Sequence, residues 1–293
     1  MMKDVERLAI DSTDYSEVLF SLHRYYLASK LCKDKKVVDI ACGTGYGSYI
    51  LSKEAKTVVG FDIDKKTIES NKKKYKNANL SFDYSSADKI ELKTNSQDIM
   101  VSYETIEHLT KEQQEGFLRE SKRVLKTDGI LLVSTPNRNR TDMFQTRNPF
   151  HIGELNPVDF KKLLKKEYDN VCLYYLELNL GTFVFSENQN LSSEVINICD
   201  NNLTEKNLDK PIYMLAICSN KDISSINLSS VLSDVKREFL NSLWERIDSN
   251  EQANSIFTKR MNELENENRN LSEIVGRIRT NRLYKMYRFL KRK

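Results

Sequence analysis

The sequence is poor in the residues that build disulfide-stapled or metal-held folds. Its 293 residues include nine glycines, four prolines, five cysteines and three histidines. The cysteines are scattered without Cys-x-x-Cys spacing, so neither a disulfide framework nor a zinc site is indicated. The histidines are too dispersed to argue for a metal, and we predict none. A reducing cytoplasm is the simplest compartment.

Long apolar runs are also missing. No stretch approaches the roughly 18 residues of a transmembrane helix, and residues 1–6 do not read as a signal peptide. The hydrophobic content of 39% is enough to bury one substantial core and to carry an appendage. We therefore expect a cytoplasmic protein with one main domain.

The most informative segment is residues 37–47, where a short apolar run leads through Asp39 into a glycine-rich turn. Gly43, Gly45 and Gly47 can adopt backbone angles closed to other residues and leave no side chain against a ligand. An amphipathic stretch follows, so the segment is typical of a strand, a turn and a helix. The helix N-terminus offers N–H groups and a partial positive charge. We expect a polar or partly anionic ligand above this turn.

A missing lysine narrows the choice of ligand. No Lys follows the second glycine, as a P-loop requires, and the turn does not have the G-x-G-x-x-G spacing of a dinucleotide site. A second strand ends in Asp62, 17 residues after the second glycine, where a carboxylate can accept hydrogen bonds from ribose hydroxyls. Asp62 could instead cap the helix from Lys65, but Asp64 fits that role better. The pattern predicts a nucleoside site without a pyrophosphate contact.

Four segments in order resemble the motifs of the class I S-adenosylmethionine-dependent methyltransferases. They read D-I-A-C-G-T-G-Y-G at 39–47, G-F-D-I-D at 60–64, D-I-M-V-S-Y-E-T-I-E-H-L at 98–109 and V-L-K-T-D-G-I-L-L-V-S-T-P-N at 124–137. The family commonly has Gly where this chain has Ala41, which leaves the tight part of the turn intact. The resemblance covers about residues 15–218 and implies S-adenosylmethionine as the cofactor.

The resemblance implies a set of cofactor contacts. Asp62 would hold the ribose, and Ser86 could hydrogen-bond the adenine amino group. Ser102 and Tyr103 would face the methyl group, and Arg24 would meet the cofactor carboxylate unless it is an ordinary surface residue. The full set of implied cofactor-binding residues is Arg24, Asp39, Ala41, Gly43, Gly45, Asp62, Ile63, Ser86, Ala87, Ser102 and Tyr103.

The order of elements predicts a doubly wound α/β fold. Strands are predicted at 37–41, 57–62, 80–84, 98–103, 129–135, 171–179 and 212–218, and helices at 15–31, 46–54, 65–76, 111–126 and 157–168. Alternating strands and helices indicate a parallel sheet with covered faces. By the resemblance, the last two strands form a hairpin that closes a seven-stranded, mostly parallel, Rossmann-like methyltransferase sheet. We assign residues 1–220 to this domain.

The acceptor of the methyl group should enter under a polar loop at 136–156, because ligands lie outside the carboxyl ends of such strands. His108 and His151 are the candidate general bases for a sugar hydroxyl, with structural packing as the alternative for each. An anionic acceptor would need mainly positioning. The loop arginines that could grip it, or that could simply be solvated, are Arg138, Arg140 and Arg147.

Three segments narrow the resemblance to bacterial methyltransferases of surface polysaccharide and glycan assembly. They are L-H-R-Y-Y at 22–26, A-C-G-T-G-Y-G-S at 41–48 and N-P-F-H-I-G-E at 148–154. The implied acceptor is a sugar hydroxyl or terminal phosphate of a glycan, or of its lipid- or nucleotide-linked precursor. The alternatives are a methyltransferase for another small molecule, RNA or protein, and a non-catalytic scaffold.

Residues 226–293 are predicted to form a helical extension. Apolar residues alternate three and four apart around one Asn, at Met261, Leu264, Asn268, Leu271, Val275 and Ile278. The spacing predicts a short coiled coil and a homodimer, or else one amphipathic helix packed on the domain. Residues 277–293 hold eight Lys or Arg and no acid, and without them the net charge of +4 becomes −4. This basic tail predicts peripheral contact with the inner face of the cell membrane rather than with nucleic acid; a solvated end is the alternative.

Overall fold

Two parts of the chain are described separately, residues 1–232 and residues 233–293. The computed structural model describes residues 15–145, 148–178, 197–199, 202–204, 211–230, 232, 258–261, 263–267 and 269. In the second part the described residues are helical. Most of the predicted coiled coil and the whole basic tail lie outside the described residues, so the homodimer and the membrane contact stay predictions.

The strands predicted from the sequence form one seven-stranded sheet. In chain order the strands are β1 (Lys36–Ile40), β2 (Thr57–Asp62), β3 (Leu80–Tyr84), β4 (Gln97–Tyr103), β5 (Leu125–Pro136), β6 (Asn170–Leu176), β7 (Asn197–Cys199), β8 (Asn202–Thr204) and β9 (Tyr213–Ser219). The sheet order is β3-β2-β1-β4-β5-β9-β6, while β7 and β8 pair only with each other. β9 runs antiparallel to both β5 and β6, which confirms the predicted hairpin, and the other ladders of the seven-stranded sheet are parallel.

Six α-helices are described in residues 1–232, and one of these helices was not predicted. They are α1 (Tyr15–Leu31), α2 (Tyr46–Ser52), α3 (Lys65–Lys74), α4 (Lys111–Val124), α5 (Arg138–Phe144) and α6 (Pro157–Leu164), with a 3₁₀ turn at Ile106–His108. The sequence predicted a loop where α5 lies. α5 buries none of its residues, so it lacks the apolar periodicity that identifies a helix. No described helix is long and apolar enough to cross a bilayer.

The sheet is covered on both faces, as the continuous apolar runs of its central strands require. Val37 packs into one hydrophobic cluster and its neighbour Val38 into the other, and both are fully buried. The same alternation divides β4, where Val101 and Tyr103 face one cluster and Met100 faces the other.

The two aspartates at and after the end of β2, Asp62 and Asp64, have different roles. The Asp64 side chain accepts a hydrogen bond from the backbone N–H of Lys66 at 3.0 Å and begins α3. The prediction that Asp64 is the cap is therefore confirmed, and Asp62 makes other contacts.

Gly47 allows α1 to approach α2, and a methyl group there should destabilise the fold. A Cβ built at Gly47 would lie 1.9 Å from Cζ of Tyr25, which is itself buried. We expect Gly47→Ala to lower the free energy of unfolding by about 3 kcal/mol, measured by urea denaturation. Gly43→Ala is the control, since a Cβ there meets no atom within 4 Å and only the backbone is strained, at a cost of about 1 kcal/mol. Equal losses in the two variants would contradict this packing argument.

Candidate functional site

A cavity of about 880 Å³ opens at the carboxyl ends of β1, β2, β4 and β5. Ten of the thirteen residues predicted for the site line it, and three do not. Those that line the cavity are Arg24, Ala41, Gly43, Asp62, Ile63, Ser86, Ala87, Tyr103, His108 and His151. Asp39, Gly45 and Ser102 lie outside the lining.

The glycine turn is fixed to the end of the neighbouring strand by backbone hydrogen bonds. The backbone N–H of Cys42 donates to the carbonyl of Phe61 at 2.8 Å. The N–H of Gly43 donates to Oδ2 of Asp62 at 3.0 Å, and the Asn71 amide donates to the Gly43 carbonyl at 2.7 Å. The turn is therefore held from both β2 and α3.

The turn contains three residues with left-handed backbone angles. Gly43 and Gly45 have φ values of +52° and +77°. Ala41, which stands where the resembling family commonly has Gly, has φ +58°, a region that costs a residue with a Cβ roughly 1–2 kcal/mol. A Cβ on Gly45 would also approach Tyr75 and Phe82 to 2.9 Å. Gly45 therefore packs beneath the turn instead of facing the cavity.

Asp62 combines a structural role with exposure to the cavity. Its Oδ2 accepts from Gly43 and its Oδ1 accepts from the N–H of Asp64 at 2.9 Å. Each carboxylate oxygen can accept a further hydrogen bond. Because Asp62 lines the cavity, its carboxylate is in position to accept from a diol such as a ribose.

The segment after β3 forms another part of the cavity wall. Ser85 is anchored, because its hydroxyl donates to the Lys89 carbonyl at 2.7 Å. The Ser86 hydroxyl donates to the Asp88 carboxylate, which leaves the Ser86 oxygen as an acceptor. Ile63 is 61% exposed opposite this segment and offers an apolar surface for a flat ring.

Asp39 supports the turn from below. It is fully buried and accepts hydrogen bonds from the Ser48 hydroxyl at 2.6 Å and from the Tyr25 hydroxyl at 3.3 Å. Burial raises the pKa of Asp39 to about 7 despite these two donors. These contacts hold the Asp39 carboxylate against α1 and α2, outside the lining of the cavity.

Cys42 lies within the same turn and lines the cavity. Burial, together with Asp39 and Asp62, holds the pKa of the Cys42 thiol well above its usual range. The thiol is therefore neutral at physiological pH.

Only one of the two residues predicted to face the methyl group lines the cavity. Tyr103 lines the cavity, and its hydroxyl donates to the Arg24 carbonyl at 3.2 Å. Ser102 is fully buried and lies on the same face of β4 as Met100, because successive side chains of a strand alternate. Contrary to the expectation that it faces the methyl group, Ser102 therefore does not line the cavity.

Arg24 is a buried cation in the cavity wall rather than an ordinary surface arginine. Its guanidinium lies 3.2 Å from Oε1 of Glu104 and over the ring of Tyr213. Burial alone would lower the pKa of Arg24, but Glu104, Tyr213 and Glu17 raise it overall. Its Nε has no hydrogen-bond acceptor among the described residues. Arg24 can therefore take an anionic group from the cavity.

Two residues of the cavity wall, Glu104 and Glu107, follow β4 and were not predicted from the sequence. Both line the cavity, and Glu104 has a φ of +51°, an angle uncommon for a residue with a side chain. Glu107 is fully buried, and burial followed by the charge of Glu104 raises its pKa well above its usual range. Their spacing of three residues directly after a strand could have identified them.

The two histidines predicted as bases, 43 positions apart in sequence, meet in the cavity wall. The ring centroids of His108 and His151 are 4.9 Å apart. The segment carrying His151 is held by Gly153, whose N–H donates to the Glu107 carbonyl at 2.8 Å. A Cβ on Gly153 would lie 2.3 Å from the Leu109 carbonyl oxygen, so this close approach requires glycine.

The loop arginines are not placed to grip an acceptor. Arg138 pairs with Asp159 at 3.1 Å and Arg140 lies 3.9 Å from Glu177. Neither lines the cavity. Arg147 lies outside the described residues.

The strand order, the glycine turn and the carboxylate at the end of β2 are typical of α/β domains that bind a nucleoside at the carboxyl ends of their strands. Residues 38–133 match the family model described as a methyltransferase domain. S-adenosylmethionine is the cofactor of this domain.

Curated relatives agree with this assignment. The chain is 32% identical over 161 residues to a probable S-adenosylmethionine-dependent methyltransferase of Mycolicibacterium smegmatis, a match covering 54% of this chain and 59% of the relative. It is 34% identical over 112 residues to the ubiquinone biosynthesis O-methyltransferase of Pelagibacter ubique, covering 38% and 46%. The matches span less than two thirds of the length of these relatives.

A solved structure shows the same fold. A SAM-dependent methyltransferase from Archaeoglobus fulgidus superposes with a TM-score of 0.51 at 20% identity, covering 71% of this chain and 94% of that one.

The buried carboxylate of Asp39 should give stability a pH dependence. Its folded pKa of about 7 exceeds the ordinary value of 3.8, so its contribution is fully present below about pH 4 and is lost as the pH rises through 7. We expect the difference in free energy of unfolding, wild type minus Asp39→Asn, to fall by as much as about 4 kcal/mol over this range. Urea denaturation at a series of pH values measures it, and a flat difference would contradict the prediction.

Proposed function

We propose that the chain transfers the methyl group of S-adenosylmethionine to the hydroxyl oxygen of a sugar in a bacterial surface glycan or its precursor. The observation that carries the proposal is the shared cavity. The cofactor cradle around Asp62 and the cluster of Glu107, His108 and His151 line the same space. A donor and an acceptor bound there would be held together, which removes much of the entropic barrier to transfer.

At the cofactor end, the residues of the chain supply complementary hydrogen bonds. Asp62 would accept from the ribose hydroxyls, and Ser86 would accept from the adenine amino group. Arg24, whose Nε has no acceptor among the described residues, would bind the carboxylate of the methionine portion. When bound, the cofactor supplies a methyl carbon attached to positively charged sulfur.

At the acceptor end, the charge of the wall favours a neutral hydroxyl over a phosphate. Glu17 and Glu104 line the cavity, and Arg24 is already paired with Glu104. Carboxylates accept hydrogen bonds from hydroxyl groups and repel anions. The aromatic rings of Tyr103 and Tyr213 offer flat surfaces for a sugar ring. The relatives named as ubiquinone biosynthesis O-methyltransferases also favour oxygen as the accepting atom.

Two oriented imidazoles would assist loss of the hydroxyl proton. His151 Nδ1 is 2.5 Å from Oε1 of Glu154, so Nδ1 carries the proton and Nε2 carries the lone pair. His108 Nδ1 lies 3.1 Å from the Phe150 carbonyl, which accepts only, so its Nε2 is oriented in the same way. Removing the proton as the carbon–oxygen bond forms is typically worth 10²- to 10⁴-fold in rate, roughly.

Loss of the Asp62 carboxylate should abolish cofactor binding. We expect Asp62→Ala to weaken the binding of S-adenosylhomocysteine at least about 100-fold in calorimetry, because both the ribose acceptor and the tie to Gly43 disappear. Asp64→Ala is the matched control, since Asp64 caps α3 and should cost about 1 kcal/mol of stability without loss of binding. Wild-type binding by Asp62→Ala would overturn the role of Asp62, and no binding by the wild-type chain would overturn the cofactor assignment.

Loss of His151 should slow transfer and spare the cofactor. With a panel of sugar and nucleotide-sugar acceptors, release of S-adenosylhomocysteine measures turnover. We expect His151→Ala to lower kcat about 100-fold or more while cofactor affinity stays within about threefold. His23→Ala is the control, because His23 bonds to Ser230 and does not line the cavity. Normal turnover by His151→Ala would remove His151 from the chemistry. A product methylated on a phosphate oxygen instead of a sugar hydroxyl would overturn the hydroxyl proposal.

A further inference from the structure

We propose that Glu107, His108 and His151 form a binding site for one divalent transition-metal cation. One ligand atom from each residue lies within 4.8 Å of the other two. Two imidazole nitrogens and one carboxylate oxygen are a donor set suited to Mn²⁺, Fe²⁺, Co²⁺ or Zn²⁺ rather than to Mg²⁺ or Ca²⁺. The inference deepens the proposed function, on which its chemical consequence rests, but cation binding itself does not depend on that function.

The first argument is a buried carboxylate oxygen directed into the cluster. Glu107 is fully buried, and its Oε1 has no hydrogen-bond donor among the described residues. The other oxygen, Oε2, accepts from the Thr135 hydroxyl at 3.1 Å, which fixes the carboxylate. Oε1 lies 4.0 Å from Nε2 of His108, too far for a hydrogen bond. A buried acceptor without a donor is costly, and a cation between Oε1 and Nε2 would satisfy both.

The second argument is that the protons of both imidazoles are directed away from the cluster. The Nδ1 proton of His108 is held by the Phe150 carbonyl, so its Nε2 presents a lone pair beside Glu107. The Nδ1 proton of His151 is held by Glu154. Metal-binding histidines characteristically donate their other N–H to a carboxylate or a backbone carbonyl in this manner.

The third argument is that hydrogen bonds fix the residues around His151 in place. Glu154 is itself fixed, because its Oε2 accepts from the Thr141 hydroxyl at 2.6 Å. The Asn148 Oδ1 accepts from the Phe150 N–H at 3.0 Å, so the Asn148 amide nitrogen is the group 3.1 Å from Nε2 of His151. A cation on Nε2 would displace that amide. This is a side-chain movement within a fixed loop.

The site has room for the acceptor. Three protein ligands leave one or more coordination positions open, as in catalytic rather than structural metal sites. All three ligands line the cavity, so the open positions would face it. A hydroxyl oxygen bound to the cation would lose its proton more readily. His108 and His151 would then act as ligands, since one lone pair cannot bind both a cation and the hydroxyl proton.

Calorimetry on the tag-free, full-length chain tests the site without cofactor or acceptor. After chelation and dialysis, titration with MnCl₂ and with ZnCl₂ should show one cation per chain for at least one metal. We expect His108→Ala and His151→Ala each to weaken that binding about 100-fold. We expect Thr135→Val, which removes only the support of Glu107, to weaken it about tenfold. His23→Ala should bind the cation like the wild type.

His108 is half-exposed, so His108→Ala tests the site even if changes at the buried Glu107 prevent folding. No cation binding by the wild type, or equal binding by wild type and His108→Ala, would overturn the proposal. Turnover that persists in chelator would overturn the role of the cation in methyl transfer and leave the proposed function intact. One bound cation without turnover of any acceptor would leave the site intact and count against the proposed function.

Discussion

The hydrogen bond from the Gly43 N–H to the Asp62 carboxylate is the constraint on which the cofactor end depends. β1 and β2 pair so that Ile40 lies beside Phe61, which brings the turn after β1 to the carboxylate that ends β2. The same carboxylate accepts from Asp64, at the start of α3, and Asn71 of α3 returns a hydrogen bond to Gly43. Two loops and a helix are thus tied in a closed set of contacts. Because these contacts already order the cradle, binding a ligand there costs little conformational entropy.

The part of the cavity wall that contains Glu104 and Glu107 depends on a different principle, the burial of charge. Glu104 adopts a left-handed backbone angle, pairs with buried Arg24 and accepts from Ser134 at 2.6 Å. Strained backbone and buried ionisable groups cost free energy and cluster where a protein binds or reacts. Glu107 shares this wall, where the Thr135 hydroxyl donates to its Oε2 at 3.1 Å. The two parts of the site therefore differ: one is held by backbone hydrogen bonds, the other by packed side chains of opposing charge.

Sequence reasoning succeeded where the signal was local. The division of roles between Asp62 and Asp64 follows from positions two residues apart, and the strands of the sheet follow from short apolar runs. It failed where the outcome depends on tertiary packing. The meeting of His108 and His151 depends on Gly153 packing against Leu109, which no periodicity shows. Ser102 was misplaced because the motif identified the end of β4 but not which face each side chain takes.

The position of Cys42 has a consequence for the durability of the protein. A thiolate is a strong nucleophile and a neutral thiol a weak one. Cys42 lines the cavity that would hold an alkylating sulfonium, and its pKa is held well above the usual range by burial and by two aspartates. Burial and the two carboxylates therefore favour the neutral, weakly nucleophilic form of the Cys42 thiol, which would disfavour its alkylation by a sulfonium bound in the cavity.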